Sequence, residues 1–328
     1  MNPPLTPLAV LLNPRVQTVR VAREVGAHTL MVGPDLTAPG MNRAAAEADQ
    51  VLEADWRDHR RLAAGLAHLT GVSRVSVFGF EDATALAAAR ANWHLRLAGS
   101  SPRSVAVLSD PLALREQINA ITSVPVRHAL CSAVELPRAA CQVGFPCTVR
   151  PRGPAAGTDP AEAEPAVVHG VIEAERLVGR LPAGELVVEE YLEGPRVVIE
   201  AYSHHGSHTI HGVTPVTGAD GDGFPGVGTP VDGVPGIGRD RRASGSRGSA
   251  GPERLLDPDG PELTRLVSDT LDAADYWVGP SRITAALTAR GPRPVAARAC
   301  PAQESTLPAV AIAALLELAE PTHRAQAS

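Results

Sequence analysis

Apolar runs alternate with helix-like periodicities from the start of the chain to about residue 104. The runs predict strands at 7–12, 28–32, 51–53 and 75–78. The stretches between and after them predict helices at 16–26, 58–69 and 82–97, the last capped by Asp82. Strands that alternate with helices are typical of a parallel sheet. We therefore predict a small Rossmann-like domain over residues 1–104, without the GxGxxG pattern of dinucleotide binding.

After residue 104, the predicted helices and strands no longer alternate regularly. Helices are predicted at 110–120, 133–143 and 159–180, with an extended 124–126 and a strand at 186–191. Further on, the pattern predicts a hairpin at 197–213, a helix at 261–276, strands at 281–289 and 294–299, and a helix at 307–319. Residues 218–252 are rich in Gly, Pro and Ser and keep no period, which predicts a mobile loop. The overall expectation is an α/β (α+β) protein.

Composition narrows the functional classes. The net charge is −6 and no basic cluster stands out, which argues against nucleic acid as a partner. The sequence has no apolar run of about 20 residues and no signal-peptide pattern, so we expect a cytoplasmic protein without membrane contact. All 30 basic residues are arginine. Without lysine, the chain has no P-loop lysine, Schiff-base lysine or lysine general base.

Two motifs lie at the centre of the chain. GFPCTVRPRGPAAGT (144–158) indicates a buried strand that leads into a small-residue loop, and LVVEEYLEGPRVVIEAYSHHG (186–206) indicates two strands joined by an acidic hinge. In this order the motifs resemble the ATP-grasp superfamily, whose members join a carboxylate to an amine or thiol through an acyl phosphate. The resemblance implies an ATP-grasp fold: the N-terminal domain, a part with entry helices and a small lid at 105–190, and a mixed-sheet part at 191–328.

The resemblance also implies a nucleotide site. The hinge Glu189, Glu190, Tyr191 and Leu192 resembles the family's adenine-binding segment, and Arg150 stands where a phosphate-binding lysine would be. Asp110 and Arg115 match the helix motif that opens the module, although Pro111 replaces its lysine. Arg298, Arg150 and Arg115 are therefore the candidate catalytic residues. Arg150 and the four hinge residues are the candidate cofactor-binding residues.

The terminal strands depart from the family in their chemistry. The two glutamates that would bind the metal are replaced by Thr284 and Ala296, the asparagine by Arg298, and the arginine that meets the acyl phosphate by Cys300. Mg²⁺ needs carboxylate and phosphate oxygens, and threonine offers one neutral oxygen. We therefore expect no metal site. ATP is the cofactor that the resemblance allows, while the losses argue against Mg²⁺.

Several smaller patterns leave two interpretations open. His204, His205, His208 and His211 could form a metal site or a solvated turn. Cys147 and Cys300 could be thiol nucleophiles, but no histidine is placed beside them, which favours small buried residues. The aspartates at 220, 222 and 232 indicate a linker rather than a calcium loop. Glu189 and Glu190 are either a structural pair or a ligand site.

Two functions follow from the resemblance. The first is a pseudo-ligase that binds a small molecule or a partner enzyme in a bacterial biosynthetic pathway. The second is an active ATP-dependent carboxylate–amine ligase in which Arg150 and Arg298 replace lysines and metal ligands. The resemblance further implies a homodimer.

Overall fold

The structure is a computed structural model that describes residues 7–70, 72, 74–153, 165–181, 184–216, 260–302 and 305–318. The predicted loop at 218–252 lies outside these residues, as does most of the small-residue loop after Gly153. The described residues form three four-stranded sheets, which we call the N-terminal, middle and C-terminal sheets. No helix in these residues has the length and apolarity needed to cross a membrane.

The N-terminal sheet is parallel, as the alternating pattern predicted. Its strands are β1 (Leu8–Leu12), β2 (His28–Gly33), β3 (Gln50–Glu53) and β4 (Val75–Phe78), in the order β3-β2-β1-β4. The helices that connect and follow them are α1 (Val16–Glu24), α2 (Met41–Glu47), α3 (His59–Gly65) and α4 (Asp82–Leu95). The sequence pattern missed α2. Apolar side chains from both faces of this sheet are buried in two clusters.

Helix α4 begins at the predicted residue, Asp82, but its capping residue differs from the prediction. Its N-cap is Glu81, which forms a capping box with Thr84, so the prediction that Asp82 caps the helix is wrong. Asp82 is the first helical residue, and its side chain is left available for contacts elsewhere.

Two helices then lead to the middle sheet. Helix α5 (Pro102–Ser109) was not predicted, and α6 (Pro111–Ile121) matches the predicted helix at 110–120. Asp110 caps α6 by accepting hydrogen bonds from the amides of Leu112 and Ala113. Pro111 occupies the first helical position, where the missing N–H costs nothing.

The middle sheet is antiparallel. Its strands are β5 (His128–Ser132), β6 (Cys147–Pro151), β7 (Ala166–Val168) and β8 (Glu185–Glu190), in the order β5-β8-β6-β7. Helices α7 (Leu136–Val143) and α8 (Val171–Val178) cover one face. The sequence pattern missed β5 and β7. Within the described part of the helix predicted over 159–180, the prediction is confirmed at α8 and is wrong at β7, which precedes it.

The C-terminal sheet is also antiparallel, whereas the resemblance implied a mixed sheet. Its strands are β9 (Arg196–His204), β10 (Ser207–Pro215), β11 (Gly279–Thr288) and β12 (Gly291–Arg298), in the order β10-β9-β11-β12. Helices α9 (Pro261–Ala273) and α10 (Leu307–Leu318) complete the described chain. The hairpin turns after His204, as predicted. One face of the sheet packs on α5, α6 and α9 through a large apolar cluster.

Candidate functional site

Glu189 is held between two arginines. Arg115 Nε donates to Glu189 Oε1 at 2.6 Å, and Arg150 Nη2 donates to Glu189 Oε2 at 2.6 Å. The three side chains are only 3%, 5% and 11% exposed for Arg115, Glu189 and Arg150. We call this group the arginine–glutamate triad. The structure thus brings together three of the residues that the sequence singled out.

Each member of the triad comes from a different element. Arg115 lies on the buried face of α6, Arg150 on β6 and Glu189 on β8. Strands β6 and β8 pair so that Thr148 is opposite Glu189, and Arg150 lies two residues further along the same face. The guanidinium of Arg150 can therefore reach the carboxylate diagonally across the two strands.

A β-bulge in β12 supplies further acceptors. Thr284 pairs with Ala296 but Ala285 pairs with Pro294, which leaves Val295 as the extra residue. Arg115 Nη2 donates to the carbonyl of Pro294 at 3.0 Å, and Arg150 Nη2 donates to the carbonyl of Val295 at 3.3 Å. β12 is at the edge of its sheet, so these carbonyls face the middle sheet rather than another strand of their own.

The triad combines two cations with one anion in a buried place. Burial raises the pKa of Glu189, but the charges and hydrogen bonds of Arg150 and Arg115 outweigh it and hold the pKa below its ordinary value. Burial lowers the pKa of Arg150, the charge of Glu189 opposes this shift, and the nearby charges of Arg115 and Arg298 add to it. Guanidinium remains charged in proteins, so the triad carries one net positive charge.

Arg298 belongs to a second ion pair at the same cleft. Its Nε lies 3.1 Å from Asp82 Oδ2, and its Nη1 donates to the carbonyl of Ser109 at 3.3 Å. Asp82 also accepts a hydrogen bond from Cys300 Sγ at 3.0 Å. No sequence pattern indicated this role of Asp82, because an acidic residue in the first turn of a helix is common for local reasons.

Neither Cys147 nor Cys300 is placed to act as a nucleophile. Cys147 lies in the apolar core under the middle sheet, on the face of β6 opposite Arg150, and Cys300 contacts Asp82. Burial raises the pKa of Cys147 to about 11, and burial together with Asp82 raises the pKa of Cys300 well above its ordinary value. Their exposed fractions are 0% and 3%. The interpretation of both as small buried residues agrees with this geometry, since a nucleophile needs a thiolate.

The residues at the expected metal positions do not fit Mg²⁺. Thr284 and Ala296 are opposite each other on β11 and β12, and Arg298 follows on the same face of β12. One neutral hydroxyl, one methyl and one cation cannot form an octahedral oxygen shell. Within the described ranges no group of three or more His, Cys, Asp and Glu side chains is placed to hold a metal.

The hinge continues from the triad. Glu190 forms a surface ion pair with Arg127 at 3.1 Å, and its amide donates to the carbonyl of Arg127. The amide of Tyr191 donates to the carbonyl of Pro146. Tyr191 and Leu192 are both half-buried. The two glutamates of the hinge therefore have different environments, one buried and one at the surface.

The histidines between residues 204 and 211 also lie in different environments, some exposed and one buried. His204 and His205 are exposed at the hairpin turn, and their rings meet edge to face. The His208 side chain is 2% exposed and lies between Ser203 Oγ at 2.8 Å and Asp272 Oδ1 at 3.1 Å. Ser203 is fully buried, so this Ser–His–Asp arrangement is a structural link between β9, β10 and α9. The solvated-turn interpretation is wrong for His208.

Comparisons with known proteins identify the fold. Neither a protein-family model nor a curated protein matches the sequence. The L-amino acid ligase from Bacillus licheniformis matches the structure with a TM-score of 0.65 at 13% identity, over 94% of this chain and 74% of the ligase. N5-carboxyaminoimidazole ribonucleotide synthetase from Thermotoga maritima matches with a TM-score of 0.63 at 12% identity, over 95% and 76%.

A third match carries a nucleotide. The biotin carboxylase domain of the Hydrogenobacter thermophilus 2-oxoglutarate carboxylase, a dimer in complex with MgADP, ADP and bicarbonate, has a TM-score of 0.63 at 14% identity, over 96% of this chain and 70% of that domain. These neighbours are ATP-grasp ligases. The chain therefore has the ATP-grasp fold, and the predicted fold class is confirmed.

Proposed function

We propose that this protein is a pseudo-ligase, an ATP-grasp fold that binds a small molecule or a partner enzyme in a bacterial biosynthetic pathway and does not run the ligase reaction. The observation that carries the proposal is the pairing of Thr284 with Ala296 at the positions where the resemblance places the metal carboxylates. Phosphoryl transfer depends on positioning and charge neutralisation, and this donor set supplies no ligand sphere for a divalent cation.

The triad supports the same proposal. Arg150, at the position of a phosphate-binding lysine, already donates to Glu189, and so does Arg115. A phosphate would have to compete with a buried carboxylate that bonds to both guanidinium groups. Pro111 adds nothing to phosphate binding, because it has neither a side-chain donor nor an N–H.

An active ligase is the second candidate, and one specific observation favours it. Arg115 Nη1 and Arg150 Nε are buried and have no hydrogen-bond partner among the described residues. Arg298 lies close enough to Arg150 to lower its pKa. Three clustered guanidinium groups, two of them with an unused donor, could hold an anionic group without metal. The hinge Glu189 to Leu192 would then take the adenine of ATP.

The experiment that separates the two functions is a phosphate-release assay with ATP over pairs of amino acids, with and without Mg²⁺. We expect no phosphate above the control without protein. Turnover that is abolished by Arg298→Ala, and kept by the exposed control Arg265→Ala on α9, would overturn the pseudo-ligase proposal. Calorimetric titration with ATP and Mg²⁺ tests binding alone, and no heat at millimolar ligand would dismiss ATP as a ligand.

The remaining features of the proposal concern its setting. Cytoplasmic location and a homodimer are part of it, and the dimeric form of the biotin carboxylase domain supports the second. Light scattering during size-exclusion chromatography measures the mass directly. A single species of 34.1 kDa, the mass of one chain, would remove the homodimer from the proposal.

A further inference from the structure

The middle and C-terminal sheets belong to separate apolar cores. The cluster under the middle sheet contains Leu136, Val149 and Leu186, while the cluster under the C-terminal sheet contains Leu114 and Ile283. Each core is built by its own helices and strands. Among the contacts that join the two units at the cleft are polar ones, and several of these involve the triad.

Glu189 and Arg150 lie on the middle sheet, whereas Arg115 lies on α6, which packs in the other core. The Arg115–Glu189 ion pair therefore crosses from one unit to the other. The two guanidinium groups also donate to the carbonyls of Pro294 and Val295 on the C-terminal sheet. One carboxylate thus positions two cations, and each cation also bonds to the bulge of β12.

The bulge is what makes these carbonyls available. A regular β12 would not present two successive carbonyls to the neighbouring unit, because successive carbonyls in a strand point to opposite edges. Pro294 lacks an N–H and so costs the ladder no hydrogen bond on the outer edge of the sheet. The edge position and the bulge together place two backbone carbonyls where they can accept hydrogen bonds from the two arginines.

A second ion pair crosses the same boundary. Arg152, just after β6, donates from Nε and Nη2 to Asp110 Oδ2 at 3.1 and 2.9 Å. Asp110 also caps α6, so the end of β6 is fixed to the first turn of the helix that carries Arg115. Arg152 further donates to Glu185 Oε2 at 3.0 Å, which ties it to β8.

We propose that Glu189, with Arg115, Arg150 and the carbonyls of Pro294 and Val295, is an electrostatic latch that holds the middle sheet closed against the C-terminal sheet. The anion that bridges the two arginines is the chain's own Glu189. Neutralising this single carboxylate opens the cleft, because it leaves two buried guanidinium groups without their counter-charge. Arg152 and Asp110 reinforce the closure at its edge.

The test measures the distance between the two units in the full chain. Cys141 on α7 is exposed, whereas Cys131, Cys147 and Cys300 are buried, so a spin label attaches selectively to the middle unit. A second label is introduced by Arg265→Cys, at an exposed position on α9. Pulsed electron–electron double resonance then gives the distribution of distances between the two labels. We expect one narrow distribution, which Glu189→Gln shifts to longer distances and broadens.

Two further variants keep the outcome decisive. Glu190→Gln removes the neighbouring surface carboxylate and should leave the distribution unchanged. If Glu189→Gln unfolds the protein, Arg152→Gln decides, because its side chain is 34% exposed and its loss spares the cores. A shift to longer distances with Arg152→Gln supports the latch. An unchanged distribution in Glu189→Gln, or in Arg152→Gln where Glu189→Gln does not fold, would overturn it, whether or not the cleft hydrolyses ATP.

Discussion

Arg115 donates to Glu189 at 2.6 Å although 74 residues separate them along the chain. This contact joins α6, the helix that opens the part of the chain resembling an ATP-grasp module, to β8, the strand that ends in the hinge. Both groups are buried, so neither charge can be supported by water alone. The position of each therefore depends on the other, and on Arg150, which shares the carboxylate.

The first prediction concerns the stability of Glu189→Gln. One amide oxygen can still accept from a guanidinium, but the amide nitrogen faces the second guanidinium, and two buried cations lose their counter-charge. Breaking a buried ion pair costs about 3–5 kcal/mol. Urea unfolding should show a loss of that size. The matched change Glu190→Gln affects a surface ion pair and should cost little. Equal effects of the two substitutions would contradict this assignment.

The second prediction is a dependence on pH. Because the pKa of Glu189 is lowered in the folded protein, its stabilisation is fully present above the unfolded value of about 4.3 and is lost as pH falls through the folded pKa. The difference in unfolding free energy between the native chain and Glu189→Gln should therefore shrink below about pH 4.3. The other carboxylates are the same in both proteins, so their contributions to the difference in unfolding free energy cancel. A difference that stays constant to pH 3 would contradict the prediction.

Much of the fold follows from local pattern. The buried strands of the N-terminal sheet are short apolar runs, and β4 was predicted at its observed bounds. Helix α5 was missed because a serine followed by proline indicates a turn, although Ser101 in fact caps the helix and Pro102 occupies its first position. β5 was missed because only Cys131 is buried in it, and β7 because it spans three residues. Such strands exist through their partners rather than their own pattern.

The candidate site was predictable in its members but not in its contacts. The resemblance placed Arg115, Arg150 and Glu189 in one cleft. It could not indicate that they bond to one another, because this depends on a bulge in β12 and on the diagonal register of β6 and β8. Asp82 was missed for a similar reason, since its partner Arg298 is distant in sequence.

The third prediction tests the Asp82–Arg298 pair by a double-mutant cycle. Asp82 is 8% exposed and Arg298 17%, so each loses its counter-charge when the other is replaced by alanine. We expect a coupling energy of about 1–3 kcal/mol in urea unfolding. The exposed pair Asp55–Arg57 is the matched control and should show coupling near zero. Similar coupling in both cycles would mean that burial does not strengthen the pair.

The fourth prediction concerns the turn between the hinge and β9. Gly194 has φ of +137°, and a Cβ there would lie 2.2 Å from the carbonyl oxygen of Leu287. Gly291 has φ of +94° but no atom within 4 Å of its Cβ position. Gly291→Ala should therefore cost only the strain of a positive φ, about 1–2 kcal/mol. Gly194→Ala should cost a further 1–3 kcal/mol, roughly, because backbone must move. Urea unfolding of both variants measures the difference. Equal losses of unfolding free energy would show that the backbone of β11 at Leu287 moves without a measurable cost.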